Sequence, residues 1–488
     1  MLNFVITLLI VSIIGLFMNW YRRDHRLPPG PRGIPFLGVV PFLGKHPAKT
    51  MTEWSKKYGK AYTARFGNKD LVILTDYEHI YDVNIRQSSK LGSRPPAHVF
   101  DATNQGRGIV FADLDVVEIH RPFTLQALKR LGMGKSSMAN RIHEETSYLI
   151  QAIREKSGKP FDPKDLFLYA AMNIACLNVA GEGYSYDDDT LKEMASKLVD
   201  GLRDNGIYIF LSNVCGYLAS IPPFKSAIET YVNDFNQVKD TFGRKIKEHE
   251  NTYDKNDLRD YIDIFLEEMK KEDHHPTFNK NQLKVTLHNL LDGGSQTLSC
   301  TLSWCMLALL HYPESYKKLK KEVDDVLDCS GKITMSDRKN MHYTQAFIHE
   351  LTRRCTLIKV FDSCSITDEV EVDGYKLPKN TGIFSISWAV HNDPSCFSDP
   401  DDFNPDRFIN PEDGTFQKSK YWMPFAIGKR NCLGEQLAQM ELFIILVTLI
   451  QKFEISVETG TEIPSLDGGN EGALYTPLPI KLIMTERE

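Results

Sequence analysis

The sequence predicts a mainly helical protein with a small β region, an α+β chain set behind an apolar N-terminal helix. Three observations carry this reading. Helical periodicity with Pro and Gly punctuation runs from about residue 120 to 355. Short strand-like runs stand before and after that stretch. The first 21 residues carry no charge, and residues 4–18 are almost wholly apolar.

A helix of about 20 apolar residues spans about 30 Å, the thickness of a bilayer core. Residues 1–21 therefore predict a transmembrane anchor. A cleaved signal peptide is the weaker alternative, because a basic start and a small-residue cleavage site are lacking. Arg22, Arg23 and Arg26 follow, and the positive-inside rule keeps the downstream chain in the cytosol. Prolines 28, 29, 31 and 35 then halt any helix and stiffen a connector over 22–35. No low-complexity tract, heptad run or repeat divides residues 36–488, which predicts one large domain.

Composition narrows the function. The chain is 42% hydrophobic and 25% charged, ordinary for a globular protein with a large core. A formal net charge of −6 argues against a general nucleic-acid binder. Nine cysteines without CxxC pairs or metal-ligand spacing read as reduced cytosolic thiols, not a disulfide framework.

The elements follow in order. Residues 61–67 and 71–75 form two strands joined by Asn68-Lys69-Asp70, a hairpin signal. Residues 283–310 form one long helix stopped by Tyr312-Pro313. Gly293 and Gly294 lie in its middle, where each glycine costs about 1 kcal/mol relative to alanine. Two side chains removed there open a groove against a flat cofactor; the alternative is a break into two helices. A helix over 343–354 carries Glu350 and Arg353 on one face. Strand-like pieces at 370–375 and 381–386 precede a glycine-bearing loop and a last long, buried helix from Glu435.

That loop is the most specific feature. It reads Phe425-Ala426-Ile427-Gly428-Lys429-Arg430-Asn431-Cys432-Leu433-Gly434. A cysteine between a glycine loop and a helix start faces free N–H groups and the positive end of the helix dipole, both of which lower a thiol pKa. Gly428 and Gly434 allow a tight turn and a close, flat neighbour. Arg430 can neutralise an acidic group on that neighbour, and Phe425 can shield the sulfur. The pattern arises by chance in a chain of this composition with probability on the order of 10⁻⁴. These features suit a nucleophile, a redox thiol or an iron ligand, and the flanking residues favour a heme socket with thiolate ligation.

On these residues the chain resembles the cytochrome P450 family, in particular the animal microsomal group acting on steroids, fatty acids and foreign compounds. The loop departs at Ala426, where the family has Gly, Ser, Asn or His, an exchange expected to cost nothing. The resemblance covers the chain after residue 27 and implies the P450 fold, with Cys432 as axial ligand of heme b. It gives Thr297 the place of the oxygen-activating threonine, with Gln296 where the family has an acid and Leu298 where it has a second hydroxyl residue. A carboxylate relays protons, whereas an amide only donates and accepts hydrogen bonds. Glu350, Arg353 and Arg407 become a buried structural cluster. Glu-x-x-Arg alone is expected about once by chance in such a chain, and its order before Arg407 and the loop gives it weight. Arg121 joins Arg430 as a partner of the heme propionates. Val117 replaces the family's tryptophan there, and Cys364 stands where relatives carry His or Arg.

The resemblance implies a monooxygenase that inserts one atom of O2 into a lipophilic substrate. Electrons come from NADPH through NADPH-cytochrome P450 reductase, with cytochrome b5 as an optional second donor. The location implied is the endoplasmic reticulum membrane, catalytic domain in the cytosol. Alternatives are a heme-thiolate isomerase or dehydratase independent of O2, motivated by Gln296, and a non-catalytic heme protein or lipid carrier, motivated by Val117 and Cys364. The basic run Lys129-Arg130 to Lys135 is a solvated face or a landing site for an acidic electron donor. Substrate walls are expected at 94–100, 207–211, Leu290 with Gly294, 358–361 and 473–475, mostly apolar. His274-His275 read as an exposed loop, and His349 and His391 have no metal-ligand spacing.

Overall fold

Residues 4, 15 and 20–487, except 93, 96 and 328–330, are described in the structure, a computed structural model; the side chains of 200–205, 214 and 361–363 are left aside. The predicted anchor over 1–21 lies almost wholly outside the described residues. Among these, no helix is long and apolar enough to cross a membrane.

The architecture is built around the helix Lys280–His311. Its start is set by Asn279, whose side chain accepts from the N–H groups of Asn281 and Gln282. It ends at Tyr312, where Pro313 opens the next helix, Pro313–Val326. The helix runs unbroken through Gly293-Gly294, so a break into two helices does not occur. Leu291, Leu298, Leu302 and Trp304 are all buried, and packing from both sides of the glycine pair outweighs their poor propensity. Its main neighbours are Lys164–Ala180, Phe224–Thr252 and the last helix, Glu435–Lys452. From Met440 to Ile450 that last helix is apolar nearly all round, as befits a helix enclosed in the core.

The largest sheet has four strands, assembled from distant parts of the chain. Strands β1 (Ala61–Phe66) and β2 (Lys69–Leu74) pair as an antiparallel hairpin. The sheet order is β1-β2-β6-β3, with β3 at Phe361–Ser365 and β6 at Gly382–Ser385. β6 runs parallel to β2, Leu71 beside Gly382 and Leu74 beside Ser385. Residues 370–375, read above as one strand, instead bend into β4 (Val370–Val372) and β5 (Tyr375–Leu377). Asp373 and Gly374 both take positive φ, the backbone of a two-residue hairpin turn. A third pair, β7 (Phe453–Ser456) with β8 (Ile483–Glu486), closes the C-terminal end.

Candidate active site

The loop ahead of Glu435–Lys452 is held by its own backbone and by that of Asn84. Its own backbone closes it: Cys432 N–H donates to Phe425 O at 2.8 Å and Asn431 N–H to Gly428 O at 3.1 Å. Gly428 has φ +95°, and a Cβ there would stand 2.2 Å from the Asn84 carbonyl oxygen. Its need for glycine is thus the turn and the Asn84 backbone beneath it, not a flat neighbour. Gly434 differs, with an ordinary φ and room for a Cβ 3.9 Å from the Cys432 sulfur. Ala426 takes φ +57°, a conformation that costs an alanine about 1 kcal/mol. The exchange at Ala426 is therefore not free, as it stands where a glycine fits unstrained.

Cys432 is solvent-accessible by area yet crowded by protein. The two agree when a side chain lies on the floor of a cleft. Burial pushes its thiol up; the Gly434 and Glu435 amides and Arg121 pull it back, while Glu435's charge adds to the rise. The net direction is upward, against the low thiol pKa expected from the helix start. Desolvation outweighs the amides and the dipole while the sulfur carries its own proton.

Cations converge on this floor. Arg121, on the helix Leu114–Arg130, donates through Nη2 to the Asn431 backbone oxygen and, at 2.8 Å, to Asn431 Oδ1. Arg430 Nη2 and Arg94 Nε both donate to the Val110 carbonyl, at 2.6 and 3.2 Å. Arg94, Arg430 and Cys364 line one recess with Ser385 and Ala426. Val117 faces the core and is buried. Phe425 packs on Trp422, ring centroids 5.7 Å apart.

The segment 108–111 ties the floor to the long helix. Ile109 N–H donates to Asn289 Oδ1 at 3.0 Å, one turn before Gly293, while Val110 O holds Arg430. Gly293 is exposed although it sits mid-helix inside the molecule, and no atom lies within 4 Å of a Cβ built on it. Gly294 is different: its Cβ would meet Ala175 at 3.6 Å, an ordinary helix–helix contact. Of the pair, only Gly293 opens space.

Thr297 Oγ1 donates to Gly293 O at 2.8 Å, which leaves its lone pairs free to accept from a donor in that space. Gln296 points elsewhere. Its Nε2 donates to Leu198 O on the helix Asp189–Val214 and to Asp292 Oδ1, both at 2.8 Å.

Glu350, Arg353 and Arg407 come together in one buried cluster. Arg353 grips Glu350 with two bonds of 2.7 and 2.8 Å, and Arg407 Nε donates to Glu350 Oε1 at 3.1 Å. Glu350 and Arg353 are both 0% exposed. Arg353 also donates to the carbonyls of His391, Pro400 and Asp402. A buried pair of this kind is stable only when its remaining donors are satisfied, as they are here.

Sequence reasoning places Arg94 only at the edge of an expected substrate wall, not among the cations, and gives His391 no role. Arg94 lies in a proline-flanked loop without a motif, and only the fold brings it to Arg430. His391 carries a hydrogen-bond chain from the Glu350 helix to the loop. Met423 N–H donates to its Nε2 at 3.1 Å, so Nδ1 carries the proton and donates to Thr356 Oγ1 at 2.7 Å. Thr356 in turn donates to Arg353 O at 2.6 Å. Burial lowers the His391 pKa to about 3, with Arg353 adding to the fall.

A mainly helical chain with an accessible thiol ahead of its last helix, arginines beside it and an open glycine in a long helix fits a heme-thiolate class of protein. Comparison with known proteins agrees: the family model for "Cytochrome P450" matches residues 28–484, and the chain belongs to that family. It is 34% identical to cytochrome P450 2F2 of Mus musculus over 467 residues, 94% of each chain. It is 32% identical to cytochrome P450 2F1 of Homo sapiens, covering 99% of each, and 34% identical to cytochrome P450 2C3 of Oryctolagus cuniculus, covering 91% of each. The family's cofactor is heme b held through a cysteine thiolate, and its general activity is that of a monooxygenase.

Proposed function

We propose that Cys432 is the residue through which this chain holds heme b, and that the chain is a monooxygenase of lipophilic compounds. The observation that carries this is the accessible Cys432 sulfur, which receives the Gly434 and Glu435 amides and feels the charge of Arg121, itself bonded to the neighbouring Asn431. The residues present fit the group. The thiol is free, three arginines stand around the floor, and Gly293 leaves space where any other residue would project. Heme b, when bound, supplies the iron at which O2 is reduced with two electrons.

The remaining work falls to the chain. Arg121 and Arg430 neutralise the cofactor's carboxylates, and Arg94 takes the place that Cys364 cannot fill, since a neutral thiol neutralises no carboxylate. Thr297 accepts a hydrogen bond from water and positions it. Gln296 is engaged with Leu198 and Asp292, which leaves proton delivery to water ordered by Thr297. Glu350, Arg353, Arg407 and His391 hold the loop in position without touching substrate.

The electron supply is NADPH through a flavoprotein reductase, with cytochrome b5 as an additional donor. The location is the endoplasmic reticulum membrane. Exposed Ile34, Phe36, Phe42, Tyr217 and Ile221 support membrane contact, since Phe36 and Tyr217 lie ring to ring at 6.3 Å and present apolar surface together.

The test is a reconstituted assay with reductase. Substrate-dependent consumption of NADPH and O2, with an oxygenated product, supports the monooxygenase. Turnover without either supports the isomerase or dehydratase reading, which draws on the occupation of the Gln296 amide by Leu198 and Asp292.

A further inference from the structure

Beside the glycine gap lies a charge that oxygen chemistry does not use. Asp292 immediately precedes Gly293. Its Oδ1 accepts from Gln296 Nε2 at 2.8 Å, and Gln296 is anchored in turn on the Leu198 carbonyl. Among the described residues Oδ2 accepts no bond and no cation pairs with the carboxylate. Burial raises its pKa to about 6, so it is mostly ionised at neutral pH. An enclosed carboxylate with a single amide donor is costly, and the helix needs no acid at this position for its own packing.

Its surroundings are aromatic. Tyr231, on the helix Phe224–Thr252, lies within electrostatic reach of Asp292. Phe100 approaches Tyr231 edge-on, ring centroids 6.4 Å apart, and stacks on Phe111 at 4.3 Å. Phe111 follows Val110, whose carbonyl receives Arg430, so this aromatic wall continues from the floor of the site. Asp292, Tyr231, Phe100 and Phe111 are all partly exposed. Ring faces and a carboxylate attract the same thing, a cation.

We propose that Asp292, with Tyr231, Phe100 and Phe111, forms a recognition site for the cationic nitrogen of a lipophilic amine or quaternary ammonium substrate. This rests on the proposed heme site, with its substrate chamber at the open space beside Gly293, and it makes Asp292 a specificity-determining residue. Gln296 then orients the carboxylate for a guest, which explains why its amide faces Leu198 and Asp292.

The probes are 4-phenylbutyl-trimethylammonium and the neutral isostere in which carbon replaces its nitrogen; neither can ligate iron. Each is titrated into the heme-loaded full chain, and the spin-state shift gives Kd. The wild type should take the cation at least as tightly as the isostere, despite the cation's hydration. Asp292→Asn, which keeps an acceptor for Gln296, should weaken the cation about tenfold and leave the isostere within about twofold. Tyr231→Leu should weaken the cation severalfold and serves if Asp292→Asn fails to hold heme. An unchanged ratio of the two affinities in both variants, with the isostere still shifting the spectrum, overturns the proposal and leaves the chamber intact. If neither probe perturbs the heme in the wild type, the chamber reading fails and the proposal with it.

Discussion

Cys432 shows how a local rule can be right in its parts and wrong in its sum. The helix start does offer amides to the sulfur, yet removal from water dominates and the free thiol pKa rises. Thiolate character would belong to the metal-bound state, because coordination by iron would remove the proton outright. Ala426 gives a second residue-level test. At φ +57° it is strained, so Ala426→Gly should raise thermal stability by about 1 kcal/mol, read as a higher unfolding midpoint of the holoprotein. A lower midpoint would contradict the strain. His391 gives a third. Its folded pKa is about 3 against about 6.5 unfolded, so the unfolded chain takes up the proton first. The stability that neutral His391 contributes is present above about pH 6.5 and is lost as pH falls toward 3. The advantage of wild type over His391→Asn in urea unfolding should therefore shrink by about 2 kcal/mol between pH 7.5 and pH 5. The cysteine loop was legible because its residues are contiguous. His391 and Arg94 were not, because their partners Met423, Thr356 and Arg430 are close only in the fold.

Among the elements, the helix Lys280–His311 is where stability and function separate. Periodicity and Tyr312-Pro313 made its existence and its end readable, and its start within a few residues. The distinct fates of its two glycines were not readable, because Gly294 meets Ala175 on another helix while Gly293 meets nothing. Gly293→Ala should stabilise the helix by about 1 kcal/mol, since no neighbour resists the added methyl. The same methyl narrows the chamber. Bulky ligands should lose affinity in spin-state titrations while the unfolding midpoint rises; a destabilised variant would show that the space is not open. The hairpin β1–β2 was likewise local and legible. The β4–β5 turn was not resolved from one strand, because Asp373-Gly374 is a short signal inside a strand-like run.

At the scale of the whole molecule, long-range pairing decides what the site can be. The parallel register of β2 with β6 joins parts of the chain some 300 residues apart and brings Ser385 onto Asn84, Nδ2 to Oγ 3.1 Å. Asn84 in turn supports Gly428. No local pattern in the sequence encodes that register. The central claim is that this assembly exists to hold heme through Cys432. The most direct measurement is the reduced carbon monoxide difference spectrum of the purified holoprotein, recorded for wild type, Cys432→Ala and Cys364→Ala. A thiolate-type spectrum in wild type and Cys364→Ala, absent in Cys432→Ala, is the expected result. A wild type without that spectrum, or a Cys432→Ala variant that keeps it, would contradict the account.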